Sequence, residues 1–192
     1  MDTPQRLFLF VGKPASGKET QGRMLADVLG YRLFSTGVRF REIIASGSQL
    51  GERIKEDYEK GLLMPTWIAD FMFQDFVFNL PPEEGAVFEG SGRDREQAEA
   101  VEKVCSWLGR PYTVFNLEVS DDTVALRSLG RGRDKGDSID AVRTRLAEYE
   151  RLTRPAIEYF QSIGKSITID GEQSVEAIHK EVMAQVSALH TA

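Results

Sequence analysis

A chain of 192 residues with 41% hydrophobic content can bury one substantial core and is read as a single domain. No segment approaches the roughly 20 apolar residues of a membrane span, and a net charge of −6 argues against nucleic acid as a bulk electrostatic partner. A single cysteine, Cys105, excludes an intrachain disulfide and fits a reducing, cytoplasmic setting, as does the N-terminal stretch Met1-Asp2-Thr3-Pro4-Gln5-Arg6, which lacks a signal-peptide pattern. Residues 6–11 read as a buried strand, apolar without interruption from Leu7 to Val11. Residues 17–29 follow as a helix with Met24, Leu25, Val28 and Leu29 on its inner side, and Gly30 ends it. Arg32-Leu33-Phe34 is a second short strand, followed by Ser35-Thr36-Gly37.

From 38 to 80 the pattern is helical, interrupted at Gly47 and at Gly61-Leu62-Leu63-Met64-Pro65, and suggests a mobile insert of small helices. Pro81-Pro82-Glu83-Glu84-Gly85 is a loop. Ala86-Val87-Phe88-Glu89 is strand three, Asp94 to Leu108 a helix, and Tyr112 to Val119 strand four. Cys105, with no histidine near it in sequence, belongs to the core or the near-surface of that helix and is not a nucleophile. Residues 121–131 are helical and 131–138 form a polar, glycine-bearing loop. Ile139 to Ser162 is one long amphipathic helix, bent near Pro155 because proline lacks a backbone donor. Ser166 to Asp170 is strand five, and Val175 to Leu189 a closing helix with Ser174 as its cap. His179 and His190, far from any motif, are expected at the surface. Alternating strands and helices imply a parallel sheet covered on both faces, with ligands at the carboxyl ends of its strands.

The stretch Gly12-Lys13-Pro14-Ala15-Ser16-Gly17-Lys18-Glu19-Thr20-Gln21 lies between the first strand and the first helix. Bound phosphate requires backbone N–H groups turned inward, which glycines permit, together with a helix N-terminus and a nearby cation, here Lys18. Thr20 stands one place later than the hydroxyl that usually follows such a lysine, and Glu19 puts a carboxylate beside a site built for anions. Farther on, Arg127, Arg131, Arg133, Lys135, Arg143 and Arg145 concentrate in one short region of an acidic chain, which suits a compact polyanion.

The pattern Gly12-x-Pro14-x-x-Gly17-Lys18-x-Thr20-Gln21 resembles the phosphate loop of adenylate kinases and related nucleoside monophosphate kinases, with Ala15 and Glu19 in place of glycines. Further segments are similar to that family along nearly the whole chain. They are Ser35-Thr36-Gly37 with Arg41, where Val38 replaces an aspartate; Gly61 to Pro65; and Glu89-Gly90-Ser91-Gly92-Arg93-Asp94-Arg95-Glu96-Gln97-Ala98. Arg127-x-x-x-Arg131, Gly132-Arg133 with Asp134 and Asp137, Arg145-Leu146, Tyr149-x-x-x-Thr153-x-Pro155 and Ile169 to Val175 complete the set.

The resemblance implies an α/β three-layer P-loop fold, a five-stranded parallel sheet flanked by helices. It divides the chain into a core (1–34, 65–129, 139–192), a helical monophosphate-binding insert (35–64) and a short lid (130–138) without a zinc module. It implies an ATP site formed by Gly12, Ala15, Ser16, Gly17, Lys18, Glu19, Thr20, Arg127, Arg131, Gly171 and Gln173. The AMP site would comprise Thr36, Arg41, Leu62, Leu63, Met64, Gly90, Arg93, Gln97, Arg133 and Arg145. Lys18, Arg93, Arg131, Arg133 and Arg145 would surround the transferred group. Mg²⁺ would arrive with ATP, Glu89 reaching it through water in place of an aspartate; Glu19 either approaches the metal or turns outward to a basic side chain. Ser91 and Gly92 replace Phe-Pro, so a looser loop and a more open base pocket are expected.

The implied reaction is ATP + AMP ⇌ 2 ADP, carried out by a cytoplasmic monomer without nucleic-acid or membrane partners. Gln97, able to offer donor and acceptor to a base edge, and Thr36 favour AMP. Two alternatives stay open. One is a kinase for another monophosphate such as CMP or UMP; the other is a nucleotide-binding regulatory protein without turnover, motivated by Ala15, Glu19, Val38, Glu89 and Ser91-Gly92.

Overall fold

The computed structural model describes residues 5–60, 62–131 and 139–191, with backbone alone at 129–131, 139, 141, 190 and 191. Five strands, β1 (Leu7–Gly12), β2 (Arg32–Ser35), β3 (Ala86–Glu89), β4 (Tyr112–Glu118) and β5 (Ser166–Asp170), form one sheet in the order β2-β3-β1-β4-β5. Every pair is parallel, so the expected five-stranded parallel sheet is present. Both faces of β1 are buried. Leu7, Leu9 and Val11 join the core beneath α4 (Thr66–Phe78), α5 (Arg95–Trp107) and α8 (Arg154–Ser162), together with Met72, Phe73, Phe88 and Phe160. Phe8 and Phe10 point the other way, into the core beneath α1 (Lys18–Leu29) and α9 (Val175–Thr191). This is why β1 reads as an uninterrupted apolar run.

The inner face of α1 is Gln21, Gly22, Leu25 and Ala26, whereas Val28 is 59% exposed, against expectation. Residues 21, 25 and 29 stack along one helical stripe, and 28 lies about 100° from 29 at its margin, where the sheet no longer reaches. Between β2 and β3 the chain forms α2 (Thr36–Ala45), α3 (Gln49–Glu59) and α4, with α2 and α3 packed on each other. Each of α2 and α3 starts on a serine, Ser35 or Ser48, whose hydroxyl accepts a backbone N–H of the first turn.

The stretch 139–162 is helical throughout, as expected, and its irregularity lies just ahead of Pro155. The stretch comprises α7 (Ile139–Glu148), a π-helical turn Tyr149–Thr153, and α8. Pro155 cannot donate, and its ring needs room beside the carbonyl one turn earlier. The turn before it widens, so that the Arg154 N–H reaches back to the Tyr149 carbonyl. Helix α6 (Asp121–Arg131) and β5 carry the expected bounds, and Ser174 caps the first turn of α9 through the Ala177 N–H at 3.2 Å. Cys105 is fully buried and desolvation raises its thiol to about 12, as suits a core residue. His179 is only half-exposed, with Nδ1 buried; His190 lies outside the described side chains. Among the described residues no helix is long and apolar enough to cross a membrane.

Candidate active site

The carboxyl ends of β1, β2 and β3 open into a cleft of about 210 Å³. Its walls are the loop after β1, the start of α2, the end of α3, the 62–64 turn, the loop after β3, and Arg145 of α7. A parallel sheet creates this position, because neighbouring strands send their following loops in different directions.

The loop after β1 is shaped by close approach. Gly12 has φ 135°, and a Cβ there would lie 2.4 Å from the Leu117 carbonyl oxygen on β4, so no side chain fits. Ala15 is the one described non-glycine residue in the left-handed region, at φ 56°. It adopts the backbone that a glycine would adopt freely, at a cost of about 1 kcal/mol. Ser16 is buried, and Gly17 enters α1 from a left-handed conformation with no side chain capping the helix. The helix N-terminus thus begins at the loop without a capping side chain at Gly17, a setting that suits an anion. Lys18 folds over its own loop, donating from Nζ to the Lys13 carbonyl at 2.5 Å and to Ser16 Oγ at 3.4 Å. Lys13 in turn pairs with Asp121 at the start of α6, at 2.6 Å. Glu19 lines the cleft and pairs with Arg23 one turn along α1, at 3.5 Å, which is the outward of its two expected placements.

Across the cleft, Thr36 is buried at the start of α2, with Oγ1 3.4 Å from Ser91 Oγ. Glu89 accepts a hydrogen bond from Ser35 Oγ at 2.8 Å. Arg41 donates to the Tyr58 hydroxyl at 3.2 Å. Burial opposes the Arg41 charge, but its hydrogen-bonded and electrostatic interaction with Tyr58, followed by the carboxylates of Glu19 and Glu89, outweighs it and raises its pKa. Arg93 is driven the other way: desolvation lowers its pKa and neighbouring Arg145 adds to this, while Glu89 opposes both. Arg93 and Arg145 thus stand close enough at the cleft to repel each other, a paired-cation arrangement that suits a phosphate.

Gln97 is held at both ends. Its Oε1 accepts the Arg93 N–H at 2.9 Å, and its Nε2 donates to Asp94 at 2.8 Å. Buried Asp94 also caps α5 through the Gln97 N–H at 2.8 Å and accepts from Thr66 Oγ1 at 2.8 Å, tying α4 to α5. These two bonds use one amide hydrogen and one oxygen lone pair of Gln97. Thr153, in the π-helical turn, donates to the Arg93 carbonyl at 2.8 Å, so the irregular turn holds the loop that carries Arg93. A looser loop is expected there, yet it is packed. Ser91 and Gly92 are buried, and Gly92 packs under the Phe160 ring.

Of the residues singled out from sequence, Ala15, Gly17, Lys18, Glu19, Thr36, Arg41, Leu62, Leu63, Met64, Glu89, Gly90, Arg93, Gln97 and Arg145 line this one cleft. Gly12 and Ser16 lie buried beneath it, and Thr20 is exposed. Arg127, Gly171 and Gln173 are not among the residues lining the cleft: Arg127 Nη2 donates to the Gly171 carbonyl at 2.8 Å, and exposed Gln173 donates to Glu181 at 2.9 Å. The Arg131 side chain, Arg133 and the 132–138 loop lie outside the described residues, as does Gly61. Phe40, Tyr58 and Asp94 were not singled out as site residues. Phe40 and Tyr58 fall in the helical 38–80 stretch with no role attached, and Asp94 stands within the Glu89–Ala98 segment and at the start of a helix.

The adenylate kinase family model matches residues 10–165. The chain is 36% identical over 171 residues to Adenylate kinase 1 of Synechocystis sp., an alignment covering 88% of this chain and 91% of that protein. It is 35% identical over 176 residues to the adenylate kinase of Corynebacterium urealyticum, covering 91% and 96% respectively. It is also 35% identical over 176 residues to the adenylate kinase of Caulobacter vibrioides, covering 90% and 92%. With the family's loop, sheet and cleft in place, this chain belongs to the adenylate kinase family.

Proposed function

We infer that this chain catalyses ATP + AMP ⇌ 2 ADP as an adenylate kinase. The observation that carries this reading is one cleft that gathers the phosphate-loop Lys18 with Arg41, Arg93, Arg145, Thr36 and Gln97. A phosphate oxygen of AMP forms a bond to the γ-phosphorus of ATP while the bond to the β–γ bridging oxygen breaks, so both products are ADP. The protein needs little covalent chemistry for this; it positions two phosphate groups in line, excludes water and supplies positive charge.

The assignment of roles is part of the proposal. The loop from Gly12 to Thr20, with Lys18, holds the donor phosphates. Arg127 and Gly171, joined at 2.8 Å, flank the donor adenine together with Gln173. Thr36, Leu62, Leu63, Met64, Gly90 and Gln97 hold the acceptor nucleoside, and Arg41, Arg93 and Arg145 its phosphate. Arg131 and Arg133 complete the cage from the lid. The insert, 35–64, and the lid, 130–138, close on the core, and such closure often limits turnover. Glu89 offers a carboxylate at the cleft, an oxygen donor of the kind Mg²⁺ takes, and Mg²⁺ carried by ATP would neutralise phosphate charge. With Cys105 reduced and buried, we propose that the protein works as a cytoplasmic monomer.

The alternatives named above are not favoured. The curated relatives are named adenylate kinases, and the Arg41–Arg93–Arg145 set lining the cleft is what turnover requires. A coupled assay comparing AMP, CMP, UMP and GMP as acceptors tests the reading. AMP is expected to dominate, and absence of AMP phosphorylation at every Mg²⁺ concentration would overturn it.

A further inference from the structure

Arg41 stands at the rim of the cleft on a long, flexible stem, where an unrestrained guanidinium would sample many rotamers. Here one of its N–H groups has a partner within the protein. Its Nη1 donates to the hydroxyl of Tyr58, on the neighbouring helix α3, at 3.2 Å. The same hydroxyl points its own hydrogen at the Gly37 carbonyl, 3.5 Å away. The guanidinium lies close over Gly37, with Nη1 only 3.6 Å from where a Cβ would stand. The Tyr58 ring is anchored independently of its hydroxyl, with its centroid 6.3 Å from that of buried Phe40. The two acidic side chains acting on Arg41, Glu19 and Glu89, line the cleft as well. Either one, left to restrain Arg41 alone, would compete with an arriving phosphate for its charge.

We propose that Tyr58 is a positioning residue for the acceptor phosphate. Its neutral hydroxyl holds the Arg41 guanidinium in the cleft while leaving the full positive charge to the acceptor's dianionic phosphate. One of the five guanidinium N–H groups is used on Tyr58 and the others stay available for phosphate oxygens. The gain is preorganisation: an arginine already fixed loses less side-chain freedom when the nucleotide binds. This rests on AMP being the acceptor. It adds a residue whose contribution comes from a hydroxyl and not from charge.

The test is Tyr58→Phe, which keeps the ring packed on Phe40 and removes only the hydroxyl. KM for AMP is expected to rise about three- to tenfold, the range for freeing one flexible side chain. Turnover and KM for ATP should stay within about twofold. Adenosine, which lacks the phosphate, should bind with unchanged affinity by calorimetry, an outcome that a general loss of structure would not give. On an Arg41→Ala background, Tyr58→Phe should add no further loss, since the hydroxyl acts through Arg41. An unchanged AMP KM in the single variant overturns the proposal. So does an equal weakening of adenosine, or an effect that persists without Arg41. Calorimetric AMP binding requires no turnover, so a failure of the kinase reading and a failure of this inference register in different measurements.

Discussion

Replacing Asp94 with Ala perturbs stability and substrate binding together, and the structure sets the size of both effects. The carboxylate is buried and accepts three hydrogen bonds at 2.8 Å, from the Gln97 N–H, Gln97 Nε2 and Thr66 Oγ1. Loss of the helix cap costs about 1 kcal/mol. Loss of the other two bonds, with the Gln97 amide left partly unsatisfied in a buried place, costs about 1–3 kcal/mol more. Relief of the repulsion between Asp94 and Asp70 offsets part of this. A net loss of about 3 kcal/mol, in a chain of this size, lowers Tm by roughly 6–12 °C. Asp94→Asn keeps the cap but turns an amide toward Gln97 Nε2, and should lose about half as much. Because Asp94 also fixes the Gln97 side chain, KM for AMP should rise about tenfold in the Ala variant while KM for ATP stays within about twofold. Denaturant melts and initial-rate kinetics on the same preparations measure both. A stability loss below about 1 kcal/mol, or an ATP KM that rises as far as that for AMP, would refute the reasoning.

Glu19→Gln breaks an exposed ion pair with Arg23 worth about 0.3–0.5 kcal/mol, and the Mg²⁺ dependence of turnover should be unchanged; a shifted Mg²⁺ profile would mean that Glu19 turns toward the metal. Burial, aided by Asp94 and Glu96, raises the Asp70 carboxyl to about 6 from 3.8. Its neutral form is thereby favoured in the folded chain, so this contribution to stability is complete below about pH 4 and is lost as pH rises through about 6. Asp70→Asn should flatten that decline in pH-dependent melts, and an unaltered slope would contradict the assignment. Arg127→Ala removes the hydrogen bond to the Gly171 carbonyl and should raise KM for ATP about tenfold with little effect on AMP; an equal change in both would remove Arg127 from the donor side.

Sequence and fold met where chemistry is local. Gly12 through Gly17 and Lys18 declare a phosphate loop because strand, turn and helix follow each other within a few residues, and backbone geometry does the rest. The apolar run of β1 announces burial on both faces, and Asp94 and Ser174 mark helix starts by a mechanism confined to one turn. Family resemblance then extended that local reading along the chain.

Contacts between distant segments were not legible. Val28 was placed inward by its apolarity, yet only the reach of the sheet decides which stripe of α1 is covered. Pro155 marks an irregularity in the long helix, but that it takes the form of a π-helical turn at Tyr149–Thr153, with Thr153 meeting the Arg93 carbonyl 60 residues away, is not written in the local sequence. Ser91 and Gly92 look loose as letters, but the Phe160 ring packs over Gly92 and buries the loop. By itself, the sequence determined the strand–loop–helix units and the residue types that can bind phosphate. The tertiary structure decided which of those residues meet, as with Tyr58 on Arg41 and Asp94 on Gln97. The reason is physical: a hydrogen bond between elements depends on how helices and sheet pack, and packing is a property of the whole core.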